Sequence, residues 1–229
     1  MGKQAATKVR AGAEGTGAAG GVLPAAPTLR LVSSAKRQRI LEGMLEVVGS
    51  NGYEAASVRM VLDSTGLYRQ AFYDEFADKD ACYLEALRFG AARLEAIASE
   101  AAAGEDGWRA QLRAGLSAVL GALEDDPATG RALIVEVHAA GAEALAIRGE
   151  AMSRVTGFID SARDAANGEA PPPIAAEGIV AGMHAVVHAK LAAGDESGYR
   201  DLLSDFMYFA TLPYFGPDVA DAEMKAARA

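Results

Sequence analysis

Residues 57–79 read SVRMVLDSTGLYRQAFYDEFADK, and this stretch decides the fold. Ser57 can cap a helix, because its hydroxyl accepts from the free N–H groups of a first turn. Val58, Val61 and Leu62 then supply one apolar face. Thr65-Gly66-Leu67 makes a tight turn, glycine being the residue that tolerates a left-handed backbone. A third short helix is predicted from about Arg69 to Phe76, with Phe72 and Phe76 at i, i+4 and facing inward. Two short helices joined by a glycine turn, after a longer supporting helix, make a helix-turn-helix pattern.

The supporting helix lies upstream. Ser33 or Ser34 can cap it, Ile40, Met44, Val47 and Val48 form its stripe with Leu41 and Leu45 alongside, and Asn51-Gly52 stops it. Lys36, Arg37 and Arg39 occupy its first turns. Downstream, Asp78 caps a long helix over about 79–103, which Gly104 and Gly107 break. Trp108, Leu112, Leu116, Val119 and Leu123 then give a second helical stripe, and Asp125-Asp126-Pro127 restarts the chain. Leu133, Ile134 and Val137 mark a shorter helix. Leu145, Met152, Val155, Ile159 and Ala162 mark the next, which stops at Asn167-Gly168. After the rigid connector Pro171-Pro172-Pro173, helices are expected over 174–193 and 196–212, with a frayed terminal helix or tail over 217–229.

Composition agrees with an all-α fold of about nine helices. The chain of 229 residues holds 51 alanines against 15 valines, 7 isoleucines and 7 threonines, and alanine favours helix where β-branched residues favour strand. The expected organisation is a tail at 1–31, a three-helix head at 32–78, a larger helical body at 79–216 and the terminal segment 217–229. Cys82 is the single cysteine, so an intramolecular disulfide and a Cys-rich zinc site are excluded. No uninterrupted apolar run of about 18 residues is present, and the N-terminus has no compact apolar segment before a cleavage site. A cytoplasmic protein without a membrane partner is therefore expected. Net charge is −9, split as +1 over residues 1–80 and −10 over the rest. An acidic chain is a poor general nucleic-acid binder, but a near-neutral head can still read DNA if its bases share a face. Lys3, Lys8, Arg10 and Arg30 against Glu14 make the Gly-rich tail basic, either a solvated extension or an arm touching phosphate.

Residues 34–88 resemble the DNA-binding signature of TetR-like transcriptional regulators. The likeness rests on Asn51-Gly52-Tyr53, Ser57-Val58, Gly66-Leu67, Phe72-Tyr73, Phe76 and Lys79. It implies a homodimer that reads a double-stranded DNA operator and, as a repressor, releases it when the body binds a small-molecule effector. It implies that the third helix enters the major groove, with Arg69 and Gln70 reading base edges, since Arg can fork onto guanine and Gln onto adenine. Tyr73, Lys79 and Ser57 would meet the DNA backbone. Each has a plainer competitor: Tyr73 as a rim residue, Lys79 neutralising Asp78 and Asp80, Arg69 paired with Asp74 or Glu75. The sequence departs from the family at Tyr68, where a small capping hydroxyl is common, at Ala71, and at Asp74 and Glu75, which set two carboxylates near phosphate. Those carboxylates motivate the alternative of a TetR-like fold with altered or lost DNA reading that works through a protein partner. A helical-bundle enzyme is the remote third possibility, since no phosphate-binding glycine loop, nucleophile elbow or metal-ligand spacing nominates a reaction or a cofactor.

In the body, Phe89, Trp108, Met152, Phe158 and Met183 are candidates for an apolar effector pocket or, equally, ordinary core. Gly178, Gly182, Val186 and Ala189, with Leu203 and Phe206 from the following helix, are candidates for a four-helix dimer interface, because small residues let a second backbone approach closely. His184 and His188 share a helix face at i, i+4, but HAVVH lacks the glutamate of a metallopeptidase helix. They read as buried or interface histidines rather than metal ligands.

Overall fold

The computed structural model describes residues 35–166, 171–195 and 197–228. The tail 1–31, the Ser33/Ser34 cap and the Asn167-Gly168 stop lie outside them. Among the described residues the chain is helical throughout: α1 (Ala35–Asn51), α2 (Val58–Thr65), α3 (Arg69–Tyr73), α4 (Lys79–Ala102), α5 (Trp108–Asp125), α6 (Pro127–Ile134), a 3-10 turn (Glu136–Ala139), α7 (Gly141–Asp160), α8 (Ala162–Ala165), α9 (Ile174–Ala192), α10 (Leu202–Phe215) and α11 (Pro217–Ala226). This exceeds the nine expected mainly because one-turn α8 is separate and the C-terminal segment is a full helix.

The local signals act as their chemistry dictates. The Ser57 hydroxyl accepts from the Met60 N–H. Gly66 closes α2 at φ 66°, its N–H donating to the Leu62 carbonyl. The Asp78 carboxylate accepts from the Ala81 N–H at 2.8 Å to start α4, and Asp126 does the same for α6 through Thr129. Pro127 takes the first position of α6, where no N–H is needed.

Two hydrophobic cores result. The first joins Ile40, Met44, Val48, Val61, Phe72 and Phe76 to Tyr83 and Leu87 of α4. It is completed by Ala132, Val137, Ala144 and Ile147 from α6, the 3-10 turn and α7. The expected boundary at residue 78 thus runs through a core, not between two. The contact is close: a Cβ on Gly49 of α1 would collide with the Ala128 backbone of α6, and the buried Tyr83 hydroxyl donates to the Ala132 carbonyl at 2.6 Å. The second core gathers α5, the end of α7, α9 and α10 around Trp108, Leu120, Ile159, Tyr199 and Met207.

Several expectations are corrected. α10 begins at Leu202, not near 196. Leu145 and Val155, assigned to the stripe of α7, are exposed, and the buried face runs through Ala144, Ile147, Phe158 and Ile159 instead. The 217–229 segment is no tail: α11 packs on α10 and buries Glu223, whose carboxylate takes Arg109 at 2.8 Å and also Arg113. Among the described residues one helix, α9, is long and apolar enough to cross a membrane, but Glu177 and Lys190 lie within it, so the expectation of no uninterrupted apolar run stands.

Candidate nucleic-acid interface and effector cavity

The Gly66 turn and the extended backbone at Tyr68 swing α3 across α2. Tyr68 makes no side-chain cap bond, so α3 is held mainly by its inner face. Ala71 and Phe72 are fully buried and Phe76 nearly so. Ala71 is therefore packed in the core, and a hydroxyl there would not have been a free contact. The opposite face carries Arg69, Gln70 and Tyr73, all exposed. The Arg69 guanidinium lies 5.4 Å from the Tyr73 ring centre, in place of the competing pairing with Asp74 or Glu75. Gln70 Nε2 donates to Asp74 Oδ1 at 2.8 Å.

The two carboxylates are held from α1. Lys36 Nζ lies 3.2 Å from Glu75 and 3.8 Å from Asp74. Arg37 lies 3.6 Å from Glu75, donates to the Glu75 carbonyl and covers the Phe76 ring at 4.4 Å. Sequence reasoning saw these cations only as part of a basic first turn. Their partners, 38 residues away, become visible only when α1 and α3 are brought together.

Lys79 does not neutralise Asp78 or Asp80. Its ammonium donates to the Tyr53 carbonyl at 2.9 Å and sits 4.2 Å from the Tyr53 ring centre. The Tyr53 hydroxyl in turn donates to Asp80 at 2.7 Å, and burial together with that carboxylate pushes the phenol up to about 12. Tyr53, quoted only as part of a motif, is the platform that aims Lys79. Ser57 is half-buried, its oxygen engaged by the first turn of α2.

The body holds a partly open cavity of about 280 Å³ between α4, α5, α6, α7 and α9. Met152, Phe158 and Met183 line it, together with Leu116, Val119 and Ile134. Phe89 and Trp108 do not. Phe89 packs against the first core, and Trp108 stands behind Phe158, stacked on its ring and donating from Nε1 to its carbonyl at 2.9 Å. Six polar side chains interrupt the apolar wall: Ser99, Gln111, Glu95, Arg154, Arg148 and His184. Arg154 donates to Glu95 at 2.7 Å, so that pair is internally neutral. Arg148 donates from Nη2 to His184 Nδ1 at 3.2 Å, while its Nε is buried without a partner. Burial, with Arg148 beside it, holds the His184 imidazole down at about 4. The His184–His188 and His138–His188 rings are 6.4 and 5.7 Å apart between centres. Among the described residues no group of three or more His, Cys, Asp or Glu side chains is placed to hold a metal.

The candidate interface residues divide. On α9, Gly178, Val186 and Ala189 are exposed. Gly182 is committed within the chain: a Cβ there would meet the Phe209 ring at 2.9 Å. On α10, Phe206 is buried in the second core and Leu203 is half-buried, while Phe209 carries the exposed apolar surface. The 3.6-residue repeat names a stripe but not which side of it faces the core.

Residues 40–86 match the family model described as bacterial regulatory proteins, tetR family. Residues in this chain are 41% identical over 64 positions to the HTH-type transcriptional repressor AcnR of Corynebacterium glutamicum, covering 28% of this chain and 34% of that protein. The chain thus spans about a third of the length of the curated relatives it matches. The fold extends further. The transcriptional regulator FadR from Bacillus subtilis, solved in complex with stearoyl-CoA, superposes with a TM-score of 0.66 at 14% identity, over 78% of this chain and 98% of that one. The tetR regulator TylP from Streptomyces fradiae superposes at 0.64 with 20% identity, over 84% and 93%. Residues 40–86 thus carry the signature of the tetR-family DNA-binding segment, and the chain shares its overall fold with these solved structures.

Proposed function

We propose that the protein is a DNA-binding transcriptional repressor, cytoplasmic and homodimeric, which a small apolar effector releases from its operator. The observation that carries this reading is the outward face of α3: Arg69, Gln70 and Tyr73 stand exposed on a helix whose other side is locked into the core. Such a helix fits the B-DNA major groove, about 12 Å wide. Lys79 on its Tyr53 platform offers a phosphate contact at the flank. The repression named for the AcnR relatives and the ligand named for the FadR structure support the reading. Among the described residues no group of side chains points to a reaction, and regulation without catalysis is the simpler assignment.

Dimerisation rests on the exposed apolar face of α9 and α10, where Ile174, Val186 and Phe209 are 70%, 42% and 43% exposed. A subunit contact accounts for that surface, and for the membrane-like hydropathy of α9, without a membrane. Gly178 is the position to perturb, because a side chain there meets nothing within 4 Å inside the chain. Gly178→Arg should leave the fold intact and turn the dimer into a monomer in light scattering. An unchanged dimer would place the interface elsewhere.

Selection of bound duplexes from a random library at two salt concentrations tests the whole reading. A repressor should enrich a palindrome whose half-sites are spaced by helical turns, with binding that weakens steeply with salt. No enrichment at either salt would favour the alternative of a partner-binding relative. That alternative drew on repulsion by Asp74 and Glu75, which Lys36 and Arg37 largely offset.

A further inference from the structure

Two polar atoms on the cavity wall are buried without a partner, the Gln111 Oε1 acceptor and the Arg148 Nε–H donor, and of the two the charged donor is the costlier to leave unmet. Arg154 and Glu95 cancel, but the described residues give Arg148 a neutral partner only, the ring of His184. Its Nε–H is buried and unbonded. An arginine so placed is costly unless an acceptor completes it. Arg148, Met152 and His184 also form the wall between the apolar cavity and an adjoining, more polar cleft lined by His138, Thr156, Glu177 and His188, in which Glu177 makes no ion pair with Arg148 within 4 Å. One end of the site is therefore hydrocarbon-like, and the other presents an unneutralised guanidinium. The cavity, about 280 Å³ and partly open to solvent, suits an aliphatic chain of medium length.

Taking the cavity as the effector site proposed above, we propose that its ligand is a slim aliphatic carboxylate of medium chain length, the chain filling the space between α5 and α7 and the carboxylate accepting from Arg148. The neutral His184 leaves the full positive charge of Arg148 available to the ligand. A guanidinium–carboxylate bond is among the strong charge-assisted kind. A cationic effector would meet the Arg148 guanidinium.

The test uses the full-length protein without DNA and isothermal titration with decanoate, decanol and decylamine near pH 7.5. Decanoate should bind roughly tenfold or more tightly than decanol, and decylamine should bind weakest. Arg148→Met should remove the preference for decanoate while leaving decanol binding near wild type. Arg148→Lys, which keeps the charge but not the forked geometry, should retain part of it and covers the case in which the methionine variant fails to fold. Equal binding of decanoate and decanol by wild type, preference for the amine, failure of all three to bind, or an unchanged preference in either variant that folds would overturn the assignment. Operator release is read separately by gel shift. Decanoate that binds through Arg148 without releasing DNA would leave the ligand class standing and remove the repressor-release reading. Release by a molecule of other chemistry, with decanoate inert, would do the reverse.

Discussion

In the head, Arg69, Gln70 and Tyr73 stand in solvent on a helix whose far side, Ala71, Phe72 and Phe76, is packed without room to spare. In the body, Arg148 lies against an unfilled volume, with one N–H unbonded. A surface that reads a polymer needs its contact atoms fixed before the polymer arrives, so dense packing behind α3 serves it. A site that must respond to a small molecule needs space and an unmet interaction. Helix packing is thus used in one region to remove freedom and in the other to preserve it.

The largest test of that contrast compares truncations on the two sides. Phe72→Ala empties a fully buried site and should cost about 3–5 kcal/mol, detaching α3 and abolishing DNA binding. Leu116→Ala, on the cavity wall, should cost less than half as much, because that side chain already lacks neighbours on one side. Urea titrations of both variants check this, and equal losses would mean that the cavity wall is as tightly packed as the head.

Next in size is the reading face itself. Arg69→Ala should weaken binding to the selected operator by about 1–3 kcal/mol and relax one base position, with no change in melting temperature. A uniform loss across all duplexes would make Arg69 a phosphate contact instead of a base reader.

Of these two regions the head was the more legible. Ser57, Gly66 and Asp78 each announce a cap or turn through chemistry confined to four or five residues, and Phe72 and Phe76 mark the buried side by their spacing. The body offered only apolar periodicity. That identifies Met152, Phe158 and Met183 as facing inward, but Trp108 obeys the same repeat and stands one layer behind the cavity. Gly182 and Gly178 look alike in sequence, yet one seats Phe209 and the other is open. A void and an unmatched charge arise from three or four helices meeting, and no single helix encodes them. Lys36 and Lys79 were legible as charges, but their partners Glu75 and Tyr53 were set by tertiary structure.

A smaller effect should come from His184. Its imidazole stays neutral to about pH 4 in the folded chain, against about 6.5 when unfolded. The unfolded state therefore takes up the proton first, and stability should decline as pH falls from about 6.5 toward 4. Allowing for partial solvent screening, the loss is about 1–2 kcal/mol; the imidazole faces Arg148, His138 and His188, and Glu177 is the carboxylate on the same cleft. Melting curves of wild type and His184→Gln from pH 7.5 to 4.5 check it, since the variant should lose part of the slope. Smallest of all, Arg59→Ala breaks an exposed pair with Asp63 at 3.7 Å and should alter stability by no more than about 0.5 kcal/mol.

The shared first core has a consequence for the order of synthesis. Tyr83 finds its acceptor at Ala132, 49 residues later, and the Tyr53 N–H finds Glu136, 83 residues later. The α1–α4 segment leaves the ribosome before either partner exists, with Ile40, Met44 and Leu87 still lacking part of their cover. A nascent head is thus an exposed apolar surface until residue 147 has emerged, and its contacts of long sequence separation slow closure further. A truncated transcript ending inside α5 would yield a chain that carries the complete recognition helix but lacks the residues that finish its core, a fragment suited to degradation rather than to occupying an operator.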